Sequence, residues 1–224
     1  MKIIAMIPAR LGSQRLKKKN LRLIKSTPLI IHAIRKVKNI SLFDEVWANS
    51  EADEIGNLAI QEGVFFHKRP AKLASNIATS EDFVYEFISA HRCDYVVQIH
   101  SIAPLLKSIE IELFTQRLQE GDYDVLLSVE RIGIECIFNN EPVNFSFNKK
   151  ENSQDLEPVY RISWSITGWK AESYKKAYES GLCATYSGRI GTYEINRFSS
   201  HVIKEQIDLS IAESLLDLIN KGDD

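Results

Sequence analysis

The chain has 224 residues, 44% of them hydrophobic, which is enough to bury one substantial core and favours a single domain with an appendage over two equal domains. Its 28 basic and 30 acidic side chains nearly cancel, so no global field draws it to nucleic acid or an anionic membrane, and any polyanion site must be local. Cys93, Cys136 and Cys183 stand far apart without CxxC spacing or a nearby histidine, which disfavours a disulfide framework or a zinc site and fits buried thiols in a reducing cytosol. No apolar run approaches the roughly 20 residues that span a bilayer, and Pro8 and Arg10 interrupt the first apolar segment before a signal core forms, so a cytoplasmic protein is expected.

Along the chain, Ile3 to Ile7 is expected as a strand closed by Pro8, followed by a polar loop and a helix carrying Leu29, Ile30, Ala33, Ile34 and Val37. The alternation then repeats. Strands are expected at Val46 to Ala48, Val64 to Phe66 and Tyr95 to Ile99, with helices from Glu51 to Glu62 and from Ser80 to His91. A helix from Ser108 to Gln119 and a strand from Val125 to Val129 continue the pattern, which predicts an α/β fold with a mainly parallel sheet covered by helices. Gly133 to Pro158 is rich in asparagine and poor in periodic apolar residues, and is expected as an insertion or arm. Regular structure resumes at Tyr160 to Thr167. It ends in an amphipathic helix from Asp208 to about Asn220, with Ile211, Leu215, Leu218 and Ile219 on one face.

The loop after the first strand carries the chemistry. Ligands of open α/β sheets bind outside the carboxyl ends of the strands, and Ala9 to Asn20 leaves such an end. It gathers Arg10, Arg15, Lys17, Lys18 and Lys19 around Gly12 and Ser13, so backbone N–H groups approach an anion while guanidinium and ammonium groups neutralise it. The loop matches neither GxxxxGK[ST] nor GxGxxG, which disfavours a Walker ATPase and a dinucleotide site. The competing reading is a solvated basic turn. Nucleic-acid binding through Arg15 to Lys19 is disfavoured, because the run lacks interleaved aromatic residues and a broad basic face.

The stretch Ile7-Pro8-Ala9-Arg10-Leu11-Gly12-Ser13-Gln14-Arg15-Leu16, with Lys19-Asn20-Leu21 after it, resembles the opening signature of the acylneuraminate cytidylyltransferases and, more loosely, that of the related 3-deoxy-manno-octulosonate cytidylyltransferases. Arg69-Pro70-Ala71-Lys72-Leu73-Ala74-Ser75-Asn76, with Thr79-Ser80, is similar to that family's RPxxLAxD segment. The resemblance covers about the first half of the chain. It implies a nucleotide-diphospho-sugar transferase-like fold, GT-A-like and Rossmann-like, in three α/β/α layers with a dimerisation arm at 133–160, residues 1–224 forming one nucleotidyltransferase domain.

It further implies transfer of CMP from CTP to a nonulosonic or other 3-deoxy-keto sugar acid with release of pyrophosphate, the step that activates such sugars for cell-surface polysaccharides. The partners implied are CTP, an acidic sugar and a second copy of the chain, with Mg2+ or Mn2+ as cofactor. By resemblance Arg10 and Lys19 are catalytic, and Arg10, Leu11, Gly12, Ser13, Arg15, Lys19, Asn20, Ser75, Asn76, Ser80 and His100 hold the nucleotide. His100 and Arg161 are the candidate substrate contacts. Structural readings stand beside these: Asn20 closes a turn, Thr79 or Ser80 caps the next helix, His100 and Trp164 serve the core, and Ser50 to Asp53 forms a capping box.

Three departures bear on function. Where the family reads LQPTSPLR, this chain has Ile99-His100-Ser101-Ile102-Ala103-Pro104-Leu105-Leu106, so a histidine replaces the glutamine and Leu106 the arginine. The family's Asn-Gly step appears as Ser163-Trp164. Its metal-binding DID motif, counted back from Asp208, falls on Val202-Ile203-Lys204, which leaves the metal ligands unknown. A displaced carboxylate such as Glu205, electrostatic replacement of the metal by Lys204, and loss of catalysis are the three explanations left open. The last gives an alternative function: a catalytically degenerate protein that binds nucleotide or a partner without turnover.

Overall fold

Strand β1 (Ile3–Pro8) alternates its side chains between two separate apolar clusters, as a central strand covered on both faces must. In this computed structural model, which describes residues 1–222, Ile3, Ala5 and Ile7 join helices α1 (Leu29–Val37), α2 (Asp53–Gln61) and α4 (Ser108–Glu120). Ile4 and Met6 face α3 (Ser80–Ala90) and α5 (Ala171–Glu179), so the architecture is three-layered.

The remaining strands, in chain order, are β2 (Leu23–Ile24), β3 (Thr27–Pro28), β4 (Glu45–Ser50), β5 (Phe65–Lys68), β6 (Tyr95–Ile99), β7 (Val125–Ile132), β8 (Ile137–Phe138), β9 (Glu141–Pro142), β10 (Val159–Lys170) and β11 (Ile190–Glu194). Among the described residues the main sheet has seven strands in the order β11-β7-β10-β6-β1-β4-β5. All neighbours pair in parallel except β10, which runs antiparallel to both β6 and β7. The strand order reverses direction around β1 and β6, which is where a doubly wound sheet opens a crevice at its carboxyl edge.

Several expectations are corrected. Helix α5 and strand β11 lie in a stretch from which no element was expected. The buried side of α5 is Ala171, Tyr174 and Ala177, small or half-polar residues that give little apolar signal. Strand β11 holds Gly191, where an added Cβ would sit 2.6 Å from the Tyr123 ring. The capping box expected at Ser50 does not form: the N-cap of α2 is Ala52, whose N–H donates to Ser50 Oγ at 3.1 Å. A capping box forms instead on α3, where Thr79 Oγ1 accepts from the Asp82 N–H and Asp82 Oδ2 accepts from the Thr79 N–H at 2.7 Å. Helix α6 (Gln206–Gly222) packs through Leu209, Ala212 and Leu216 onto Leu16, Ile24, Leu29 and Ile203. On the face expected to be apolar, Ile211 and Leu218 are exposed, Leu215 is half-buried, and the Ile219 side chain lies outside the described residues. Cys93 and Cys136 are half-buried and Cys183 is exposed, against the expected buried thiols.

The stretch at 133–158 is an ordered excursion between β7 and β10. β8 and β9 form a hairpin whose two-residue turn, Asn139 and Asn140, has φ of 50° and 65°, the type I′ geometry that asparagine tolerates. Asn144 fastens its base, accepting from the Cys136 N–H at 2.9 Å and donating to the carbonyls of Ile134 at 3.0 Å and Glu157 at 2.8 Å. The excursion leaves Ile134, Ile137, Phe138 and Phe147 exposed.

Candidate active site

A polar cleft of about 520 Å³ opens beyond the carboxyl ends of β1 and β6. The loop from Ala9 to Asn20 forms one wall and is fixed by side chains distant in sequence. Asn20, 6% exposed, donates through Nδ2 to the Arg10 carbonyl at 2.9 Å and accepts through Oδ1 from the Ser101 hydroxyl at 2.6 Å, which latches the loop to the end of β6. The Leu11 N–H donates to Glu51 Oε1 at 2.9 Å, so a carboxylate from just before α2 holds this loop. Arg10 donates to the Ser75 carbonyl at 2.9 Å and the Ala74 carbonyl at 3.3 Å, bridging the cleft to the segment before α3.

Of the residues expected to hold a nucleotide, Arg10, Ser13, Arg15, Lys19, Asn20, Asn76, Ser80 and His100 line the cleft together. Leu11, Gly12 and Ser75 shape its walls from behind. Leu11 packs on the core, Gly12 lies where a Cβ would be 3.9 Å from the Ala74 carbonyl oxygen, and Ser75 supplies a carbonyl to Arg10. Because Thr79 takes the capping role, the Ser80 side chain is left to the cleft. Arg161 is outside the cleft lining. It stands directly opposite Glu130 in the β7–β10 register and pairs with it, Nε to Oε2 at 3.0 Å.

The site also contains residues that the sequence reading gave no role. Arg69 is 3% exposed, donates to Asn49 Oδ1 at 2.6 Å and to the Asn49 carbonyl at 3.0 Å, and stacks 4.1 Å from the centroid of the Phe83 ring. Burial pushes its guanidinium down to about 10, with Glu51 opposing, so it stays charged at neutral pH. Gln14, Ser101 and Phe83 complete the lining. The signal available for Arg69 was its place in the RPxxLAxD-like segment; its contact with Asn49 depends on pairing of β4 with β5.

Lys19 sits at the floor, its ammonium donating to the Ile203 carbonyl at 3.0 Å. Burial, then the charges of Arg15 and Arg10, hold it below the usual lysine range, with Asp208 opposing. His100 is neutral. Burial, helped by Lys19, pushes it down to about 4, and its Nε2 lies 2.5 Å from the Gln98 side-chain amide. Trp164 lies 6.4 Å from His100 between ring centroids and, with φ of 58°, occupies the left-handed region at the bulge where the β7–β10 register shifts. It is half-buried and walls a side cavity of about 170 Å³ with Ser80, Gln98 and His100, so its position is beside the cleft instead of in the core.

The residues at the expected metal position do not fit a metal. Ile203 is buried against Leu16 and Leu209, Val202 packs on the core, and Lys204 is exposed. Asp208 Oδ2 accepts from the N–H groups of Lys204 and Glu205, each at 2.8 Å. Among the described residues no three His, Cys, Asp or Glu side chains gather to hold a metal, and no carboxylate, Glu205 included, lines the cleft.

The family model described as cytidylyltransferase matches residues 4–218. The chain is 33% identical to post-translational flagellin modification protein B of Campylobacter coli, over 96% of this chain and 94% of that one. It is 27% identical to N-acylneuraminate cytidylyltransferase A of Danio rerio over 94% of this chain but only 50% of that protein, so the chain spans about half the length of the latter relative. A solved CMP:2-keto-3-deoxy-manno-octonic acid synthetase complexed with CTP superposes with a TM-score of 0.72 at 15% identity, covering 97% of this chain and 99% of that one.

Proposed function

The chain belongs to the cytidylyltransferase family, and on that premise we propose that it binds CTP in the cleft beyond β1 and transfers CMP to the anomeric hydroxyl of an acidic keto sugar of the nonulosonic type, releasing pyrophosphate. The observation that carries this reading is the convergence of Arg10, Arg15, Lys19 and Arg69 on one cleft that no acidic side chain enters among the described residues. Attack of the sugar oxygen on the α-phosphorus forms one P–O bond as the bond to pyrophosphate breaks, and the negative charge grows on phosphate oxygens. Fixed cations and N–H donors stabilise that charge without reorganising. Arg10 and Lys19 are the residues assigned to it, with Asn20 holding the loop in place. His100 offers a neutral imidazole to the acceptor side, and the Trp164 cavity lies next to it.

Pyrophosphate release on a panel of keto sugar acids tests the transfer. Release that requires both CTP and one of the acids supports it, and its absence across the panel from a protein that binds CTP contradicts it. In that event the second reading, a nucleotide-binding protein without turnover, holds; it is motivated by the Val202 and Lys204 substitutions. We take residues 1–224 as one nucleotidyltransferase domain acting in the cytoplasm. No helix among the described residues is long and apolar enough to cross a membrane. The exposed Ile134, Ile137, Phe138 and Phe147 support a homodimer through the 133–160 excursion. Phe138→Glu is expected to shift the sedimentation coefficient from dimer to monomer, and an unchanged value would exclude this surface.

The neutrality of His100 carries a stability prediction. Its folded pKa of about 4 lies below the unfolded value near 6.5, so the unfolded chain takes up a proton first as pH falls. Stability should therefore drop between about pH 6.5 and 4, by at most roughly 3 kcal/mol, and level off below. Urea midpoints for His100→Gln should lack this component.

A further inference from the structure

We propose that the cleft accepts the nucleotide triphosphate free of divalent metal, with Arg10, Arg15, Lys19 and Arg69 discharging it in place of a protein-held cation. This inference rests on the nucleotide reading of the cleft and concerns the ionic form that enters it. Two observations carry it. The first is the donor set: a protein site for a hard divalent cation is built on carboxylates, and the described residues lining the cleft supply none, only neutral hydroxyl and amide oxygens. The nearby carboxylates lie outside the lining and are hydrogen-bonded, Glu51 through Oε1 to the Leu11 N–H and Asp208 through Oδ2 to the N–H groups of Lys204 and Glu205.

The second is what stands where acidic ligands would have to be. The segment from Val202 to Lys204 turns a carbonyl, that of Ile203, toward the cleft floor, and the Lys19 ammonium is bonded to it at 3.0 Å. A monovalent protein cation thus occupies the approach from this segment. Lys204 adds a further positive charge that Lys19 feels. A divalent ion entering among Arg10, Arg15 and Lys19 is repelled by all of them, whereas a metal-free triphosphate meets only complementary charge. Metal-bound nucleotide carries less negative charge and competes less well for the same cations.

The test is calorimetric titration of the protein with the sodium salt of CTP, once in EDTA and once in excess magnesium. Magnesium is expected to leave the affinity unchanged or weaken it. A gain of more than threefold on adding magnesium overturns the proposal. Binding in neither buffer removes the nucleotide reading together with the inference, while binding in both without pyrophosphate release removes only the transfer reading. Lys19→Met supplies the second arm. With one protein cation gone, the variant should bind CTP at least tenfold more weakly in EDTA and recover more than threefold with magnesium. A variant whose response to magnesium equals that of the native protein would show that the protein cations do not stand in for metal, and would overturn the proposal.

Discussion

Lys19→Met is expected to weaken CTP binding roughly 10- to 100-fold, the equivalent of about 1.5–3 kcal/mol for a charge-assisted hydrogen bond to phosphate. Methionine keeps the length and the apolar contacts of the stem, so the loss reports the ammonium. The effect is specific in pH. Because burial and the neighbouring Arg15 and Arg10 hold the Lys19 ammonium below its usual range, the native protein should begin to lose CTP affinity at a lower pH than an ordinary lysine's value of about 10.4. Protonated Lys19 attracts the polyanion and neutral Lys19 does not, so affinity falls as pH rises. Titrations at several pH values should show that fall in the native protein and a flatter profile in the variant.

Arg69→Met should act on folding as well as on binding. The guanidinium is buried, and its removal leaves Asn49 Oδ1 without the donor it now has at 2.6 Å, while the Asn49 carbonyl keeps the Ala9 N–H at 3.0 Å. A buried unsatisfied acceptor costs about 1–3 kcal/mol, so a loss of that size is expected, measurable as a fall in Tm of roughly 3–9 °C. Arg69→Lys should recover part of the charge but not the two-point geometry, and should lie between them in both Tm and CTP affinity. A Tm unchanged in Arg69→Met would show that Arg69 does not fasten β4 to the cleft.

The alternating half of the fold was legible because its physics is local. Strand β1, helix α1 and the capped helix α3 follow from period and end signals that lie within a few residues. The direction of β10 was not legible, since a period of two is the same for parallel and antiparallel strands. Helix α5 escaped because alanine and tyrosine form its buried side, and β11 because Gly191 interrupts it to admit the Tyr123 ring.

In the site the same division holds. The cations of the first loop were readable from their crowding after a strand, but what aims them is long-range: Asn20 reaches Ser101, Arg10 reaches Ser75 and Lys19 reaches Ile203. The role of Glu51 was not readable, because the capping-box pattern from Ser50 to Asp53 carries no information about a loop that folds over it. Arg161 looked like a substrate contact by position, and strand register places Glu130 directly across from it. Trp164 is the residue least predictable from its type, because a bulge sets its backbone at positive φ and its bulky ring walls the side cavity next to the cleft.

The most direct test of the cleft as a nucleotide site is equilibrium titration of CTP against three folded proteins: the native chain, Lys19→Met and Arg161→Ala. The account predicts saturable binding at one site in the native chain, a loss of at least tenfold for the cleft variant, and no change for Arg161→Ala, whose side chain pairs with Glu130 away from the cleft. Binding that is absent from the native chain, or that is lost with Arg161 and kept without Lys19, would contradict it.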